Sequence, residues 1–337
     1  AAHRAGLDAA LVMTGDAPGG DLAAAMAALI GYSERATRSA IVDIPDGRYA
    51  ASDRLDDMLP DGDPVTLRVT VDVRGDELHV DFSGSDAQRP GPLNAVEAVT
   101  RSAVYYCVRS LLRDEVPMNH GCHESVHVTA PAGSVVNAQP PAAVSGGNVE
   151  TSQRIVDVVL RALSAAVPNR IPAAGQGTMN NVTFGGDDPR RDGAYVWYET
   201  LGGGMGGGAD ADGLSAVHVA MSNTRNTPVE AIEYELPVRI TRYAIRGETG
   251  GTGVHRGGDG IERVYRFLAA GSGTVISERR RFAPWGLAGG RPGVRGRNEL
   301  RRVDGTVVRL GGKARFDFVA GDELIVRTPG GGGWGGG

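Results

Sequence analysis

Cysteine is nearly missing from this chain. Cys107 and Cys122 are the two in 337 residues, too few for a disulfide framework, which fits a reducing compartment. Long apolar runs are missing too: none reaches the roughly 18 residues of a membrane-spanning helix. The opening AAHRAGLDAALVMTGD has no initiator Met and no basic stretch of the kind that heads a signal peptide. A soluble cytoplasmic protein with no membrane partner is therefore expected. The net charge of −5 gives no ground for nucleic acid as a partner either. The strong chemical motifs are absent as well. There is no Gly-x-x-x-x-Gly-Lys-Ser/Thr loop, so the chain has no phosphate loop of its own. There is no paired Cys-x-x-Cys zinc pattern, no His-Glu-x-x-His and no Gly-x-Ser-x-Gly elbow.

What is present is apolar residues enough for a sizeable core, at 41 %. Glycine is in excess, at 51 residues. The glycines are not periodic, which excludes collagen. They cluster in Gly202–Gly208, Gly247–Gly260, Gly286–Gly296 and Pro329–Gly337, and the simplest reading is tight loops between short strands. Asp21–Ser39 reads as an amphipathic helix, with Asp21 as N-cap and Leu22, Met26, Leu29 and Ile30 at helical spacing. Val65–Val73 and Glu77–Phe82 alternate around a turn, a hairpin signal. Helices are expected at Ala95–Arg113 and Asn148–Ala166. The second carries a wide apolar stripe with Arg154, Asp157 and Arg161 outside it. Strands are expected at Val126–Ala130, Asn181–Phe184, Ala194–Glu199 and Ala216–Met221. A short helix over Pro228–Glu235 has a capping-box signal beginning at Thr227. From Pro237 on, short strands alternate with Gly-rich turns, as in a sandwich or barrel. The fold class is α+β: a mixed helix and sheet part over residues 1–236, then a β-rich domain over 237–337.

Candidate chemistry gathers in a few blocks. In SGGNVETSQR, Gly146 and Gly147 lead into a helix N-terminus, where free N–H groups and the helix dipole suit an anion. Asn148, Glu150 and Gln153 add polar groups. Amide-rich loops hold Gln176 and Asn180 in QGTMNN and Asn223 in SNTRNTPVE. Such amides can polarise a carbonyl as oxyanion donors do, or simply bond their own backbone. Glu199 precedes the Gly-rich loop that starts at Gly202. Glu278–Gly290 sets three arginines beside Phe282 and Trp285, read as a strand end with surface ion pairs. His120, Cys122, His123 and His127 lie close in sequence, but a turn followed by a strand explains them without a metal.

Read in order, these blocks resemble the hydantoinase B / 5-oxoprolinase family along nearly the whole chain. The matching stretches include DFSGS (Asp81–Ser85), GPLNAVEAVTRSAVYY (Gly91–Tyr106), AAVSGGNVETSQRIVDVVL (Ala142–Leu160), QGTMNNVTFG (Gln176–Gly185), YETLGGGMG (Tyr198–Gly206), NTRNTPVE (Asn223–Glu230), RGGDGIER (Arg256–Arg263) and SERRRFAPWGLAGG (Ser277–Gly290). The resemblance implies a B-type subunit that works with an A-type subunit of actin-like ATPase fold. The partner binds ATP and phosphorylates the carbonyl oxygen of a cyclic amide: a hydantoin, 5-oxoproline or another lactam. The B-type part then completes ring opening, in assemblies such as (AB)2. An unstrained cyclic amide is a poor electrophile, and phosphorylation supplies a leaving group. Asn148, Glu150, Gln153, Gln176, Asn180, Glu199 and Asn223 are the pocket candidates. Family members bind a divalent metal, zinc or manganese, through ligands in a region ahead of the part matched here, so no metal ligands are expected in this chain. The isolated chain is expected to be inactive. The alternatives are a subunit of an acetone- or acetophenone-type ATP-dependent carboxylase, and a truncated, non-catalytic assembly subunit.

Overall fold

The computed structural model describes residues 22–56, 62–112, 116–191 and 193–336. Helix α1 (Leu22–Val42) leads into strand β1 (Gly47–Leu55), then β2 (Val65–Arg74), β3 (Glu77–Asp81), α2 (Glu97–Arg109) and β4 (Val126–Thr129). Helix α3 (Ser152–Leu163) follows, then β5 (Asn181–Asp187), β6 (Ala194–Thr200), α4 (Val229–Glu235), β7 (Val238–Ile245), β8 (Ile261–Phe267) and β9 (Gly271–Ile276). The last strands are β10 (Arg297–Arg301), β11 (Val307–Leu310), β12 (Lys313–Phe318) and β13 (Glu323–Arg327). The fold is mixed α+β, with three mostly antiparallel sheets ordered β1-β2-β3-β4, β11-β10-β13-β8-β7 and β12-β9-β5-β6. No helix among the described residues is long and apolar enough to cross a membrane.

Alternation builds the first sheet. Val65, Leu67, Val69, Val71 and Val73 of β2 point inward, joined by Leu78 and Val80 of β3, and α2 and α3 cover them. The second core lies between the other two sheets. Val182, Phe184, Val275, Phe316 and Phe318 face Tyr265, Phe267, Leu300, Leu324 and Val326, the two-layer packing of a sandwich. Phe267 stacks on Phe318 with ring centroids 3.6 Å apart. Sheet pairing crosses the 236/237 boundary expected from the sequence, because β5 and β6 ahead of it share a sheet with β9 and β12 behind it.

Several local expectations change. The Asp21 cap lies outside the described residues. Helix α1 buries Ser33, Thr37 and Ile41 and leaves Met26 and Leu29 exposed. The stretch Ala216–Met221 is not a strand: Ala216 and Ala220 have φ of 59° and 53°, and left-handed residues interrupt an extended run. Helix α4 has no side-chain cap, and Pro228 stands at its N-cap position. Strand β1 was not foreseen. Its sequence, GRYAASDRL, has almost no apolar alternation, and β2 alone pairs with it across all nine residues.

Apart from turns at 247–248 and 288–289, the glycine clusters are not turns. Segments 202–208, 250–258, 286–293 and 329–335 lie side by side and bond main chain to main chain. Gly207 N donates to Gly332 O at 2.9 Å, Gly251 N to Gly331 O at 2.8 Å, Gly331 N to Gly258 O at 2.9 Å and Gly333 N to Arg291 O at 2.8 Å. Backbones approach so closely that side chains are excluded: a Cβ on Gly331 would stand 2.0 Å from Met205 O, and one on Gly206 1.8 Å from Ala173 O. This bundle bonds in turn to Ala173 and Ala174, through Ala173 N to Gly207 O and Ala174 N to Trp285 O.

Candidate functional site

The block that the sequence singled out starts with one wide turn. Residues Gly147–Thr151 form a π-helical turn, closed by Ser152 N on Gly147 O, before α3 proper begins. Such turns are rare and frequent at functional sites. The two glycines serve close packing: a Cβ on Gly147 would stand 2.1 Å from Asn94 O. The Gly147 amide donates to Pro92 O at 3.0 Å and Val144 O at 3.1 Å. It is therefore engaged within the fold rather than directed at an anion. Asn148 is exposed.

Glu150 turns inward and is fully buried. Its Oε1 accepts from Met179 N at 3.2 Å and from Asn181 Nδ2 at 2.8 Å, while Oε2 has no partner among the described residues. Burial pushes this carboxyl up to about 8, with the neighbouring Glu278 adding to the shift and Thr178, Lys313 and Arg280 opposing it. Gln153 is buried with neither amide atom partnered among the described residues. Gln176 and Asn180 meet: Asn180 Nδ2 donates to Gln176 Oε1 at 2.7 Å, and Arg280 Nη1 donates to Asn180 Oδ1 at 2.7 Å. Glu199 belongs to a separate group in the second core. It accepts from the Tyr265 hydroxyl, pairs with Arg263 Nε at 3.0 Å and accepts from Asn226 Nδ2 at 3.3 Å. The seven candidates thus fall into different places. Glu150, Gln176 and Asn180 share one buried polar region, Glu199 sits in another, and Asn223 lines a cavity.

The largest departure from the sequence reading is a buried charge network on the seam between the two cores. Arg154 and Asp157 of α3, expected in solvent, are enclosed, as are Glu278, Arg279 and Arg280, expected as surface ion pairs. Arg154 Nη1 lies 3.1 Å from Asp53 Oδ2 of β1, and its Nη2 lies 3.6 Å from Glu278 Oε2. Arg279 Nη2 bonds Asp157 Oδ2 at 2.5 Å and Asp53 Oδ2 at 3.0 Å. Asp56 accepts from Arg280 N at 2.7 Å, and its own amide donates to Glu278 Oε2 at 2.9 Å. Lys313, the one lysine in the chain, pairs with Glu278 and donates to Asp56 O at 2.7 Å. Arg279 keeps φ at 62°, which costs an L-residue about 1–2 kcal/mol. Two carboxylates hold its guanidinium in that position. One signal could have found the network: every basic residue but one is Arg, and that one Lys directly follows a Gly-Gly pair.

Asp157 also lines a cavity of about 320 Å³. One wall comes from the glycine bundle and its neighbours, with Ala174, Met205, Gly206 and Trp285; the other has Tyr106, Leu160, His218 and Asn223. Arg161 lies over the Trp285 ring at 5.6 Å. Two buried nitrogens, Trp285 Nε1 and His218 Nε2, have no partner among the described residues. His218 Nδ1 lies 3.2 Å from Ser222 Oγ, and that hydroxyl already donates to Val219 O at 3.0 Å. With the hydroxyl donating to Val219 O, it accepts from Nδ1–H, the tautomer that leaves Nε2 its lone pair. Burial lowers the His218 pKa, which keeps the ring neutral. Trp285 and His218 line the cavity, and both of these nitrogens are themselves buried. Among the described residues no three His, Cys, Asp or Glu ligand atoms converge there, so the residues at the cavity do not fit a divalent metal.

The His120–His127 stretch does not form a cluster. His120 pairs with Glu124 at 2.9 Å, His123 stacks on Tyr105 with centroids 3.9 Å apart, and Cys122 is buried.

Known proteins place the chain. The family described as Hydantoinase B/oxoprolinase matches residues 1–336. The chain is 43% identical over 280 residues to 5-oxoprolinase 1 of Arabidopsis thaliana, covering 83% of this chain and 21% of that protein. It is 33% identical over 325 residues to the B-type subunit of a putative D-/L-hydantoinase from Pseudomonas sp. NS671, covering 93% of this chain and 54% of that one. Among solved structures, the ATP-dependent caprolactamase of Pseudomonas jessenii superposes with a TM-score of 0.82 at 26% identity, over 96% of this chain and 58% of that one. A nucleotide-free acetone carboxylase superposes with a TM-score of 0.75 at 18% identity, a likeness of fold. The chain therefore spans from about a fifth to somewhat more than half of these proteins.

Proposed function

The chain belongs to the hydantoinase B/oxoprolinase family, and on that footing we propose that it is part of an ATP-dependent hydrolase of cyclic amides. The ring binds in the cavity between α3 and the glycine bundle. A partner subunit supplies ATP and activates the ring carbonyl by phosphorylation; the chain has no phosphate loop. An A-type actin-like ATPase in an (AB)2-like assembly is the partner that fits. The isolated chain is inactive on this reading.

The observation that carries this reading is the pair of unpartnered nitrogens. A cyclic amide holds its N–H and C=O cis, as an adjacent donor and acceptor on one edge. On binding, a rotation of the two side chains turns these buried nitrogens into the cavity, where His218 Nε2 accepts and Trp285 Nε1–H donates, while Tyr106, Leu160 and Met205 take the methylenes.

The test uses the chain assembled with its ATPase partner. Release of ADP is measured against caprolactam, 5-oxoproline and hydantoin. Trp285→Phe and His218→Gln should each lower kcat/KM for the accepted ring by about 10-fold or more, the worth of one buried hydrogen bond. Unchanged kinetics in both variants would remove the cavity from the reaction. Ring opening by the isolated chain would remove the partner.

A further inference from the structure

The outer face of the first sheet brings together three side chains with the donor set of a metal site. Strands β3 and β4 run parallel, with His79 in register with His127. Glu77 is two residues before His79 on the same face, since Leu78 and Val80 between and after them point into the core. Glu77 Oε2 lies 3.5 Å from His79 Nε2 and 3.7 Å from His127 Nε2. The two imidazole nitrogens and this oxygen all lie within 4.8 Å of one another.

These separations are long for hydrogen bonds. They are close to the spacing of neighbouring ligands on a tetrahedral ion: bonds of about 2.0–2.1 Å put ligand atoms about 3.4 Å apart. The carboxylate is also oriented. Arg38 of α1 lies 3.7 Å from Glu77 Oε1 and 3.3 Å from Asp76, which leaves Oε2 turned to the imidazoles, as outer partners of metal ligands do. Asp72 of β2, in register with His79, is held by its ion pair with Arg74. All three donors stand on paired strands, so little reorganisation is needed on binding. Each is partly exposed, so the fourth position faces solvent.

We propose that Glu77, His79 and His127 bind one divalent transition-metal ion of zinc type, with water as the remaining ligand. Two imidazoles and one carboxylate favour zinc, cobalt or nickel over calcium and magnesium, which take oxygen ligands. The ion joins β3 to β4, the outer strand of its sheet and the one held in parallel pairing. Its role on this reading is to fix that edge.

The experiment is calorimetric titration of the chelator-treated chain with zinc chloride, paired with the visible absorption of cobalt(II) added in its place. Wild type should bind one equivalent of zinc at this site, show the tetrahedral cobalt band, and melt at a higher temperature with zinc. His79→Asn and His127→Asn should each weaken binding by about 100-fold or more and lose the band, since loss of a ligand costs at least as much as loss of an outer partner. Their melting temperatures without metal should stay near wild type, because both side chains lie on the outer face. His120→Asn, in the same stretch but paired with Glu124, should bind as wild type does. Absence of saturable binding by wild type, or equal binding by the two histidine variants, overturns the proposal.

Discussion

Glu150 is an acid held where its charge is disfavoured, and the consequence is a slope in stability. Its folded pKa is raised to about 8, against about 4.3 for an unperturbed glutamate. Between those values the folded state binds more protons than the unfolded one. Stability from this group is therefore full below the unfolded pKa and falls as pH rises towards 8. Glu150→Gln keeps an oxygen for Met179 N and Asn181 Nδ2 and removes the titration. The urea midpoint of wild type relative to Glu150→Gln should fall steadily between pH 5 and pH 8. Parallel midpoints across that range would show that Glu150 is ionised in the fold. The sequence did mark Glu150 as a residue of interest, and for a local reason: it lies in a polar first turn. It could not show the burial, which comes from the 176–181 loop and the segment after β9 closing over it.

At the scale of elements, α3 is where local reading and structure part most clearly. Its apolar stripe was legible, because Ile155, Val158, Val159, Ala162 and Leu163 recur at helical spacing and are all buried. Arg154 and Asp157 looked solvated because they stand one turn apart off the apolar stripe and can pair with each other, as they do at 3.4 Å. Their other partners lie far along the chain: Asp53 is 101 residues from Arg154, and Arg279 is 122 from Asp157. Removing a partner from a buried pair leaves a charge uncompensated, at a cost of about 3–5 kcal/mol. Arg154→Ala should therefore lower stability by about that amount in chemical denaturation. A loss within about 0.5 kcal/mol, usual for a surface substitution, would place Arg154 in solvent as first read. The β-rich half was easier to read. Alternation and Gly-rich turns predict strands over Val238–Ile245, Ile261–Phe267, Gly273–Arg279, Arg297–Arg302, Thr306–Leu310, Ala314–Val319 and Glu323–Thr328, each within three residues of the observed bounds. Strand β1 escaped because an outer strand with both faces partly wet carries no periodicity to detect.

At the scale of the whole molecule, the glycine clusters were visible and their meaning was not. Composition alone cannot separate a glycine that turns the chain from one that lets two chains touch. Gly331 and Gly208 lie in clusters of the same appearance. A methyl on Gly331 meets Met205 O at 2.0 Å, whereas one on Gly208 meets nothing closer than 3.9 Å. Gly331→Ala should cost about 1–3 kcal/mol or more, as overpacking does, and Gly208→Ala should melt as wild type does. Equal melting temperatures would mean that the bundle can spread to admit a side chain.

If rings bind in the cavity as proposed, that bundle also divides the labour of recognition there. The wall it supports, at Ala174 and Gly206, is shaped by main chain, and a larger residue at Gly206 would collide with the backbone. It can be altered only by moving whole segments, so it acts as a fixed template. The facing wall carries Tyr106, Leu160, His218 and Asn223 on α2, α3 and the 218–223 loop, where one side chain can be exchanged without disturbing its neighbours. With His218 kept for the ring amide, a change of preferred ring size or substituent is therefore expected to be written at Tyr106, Leu160 and Asn223.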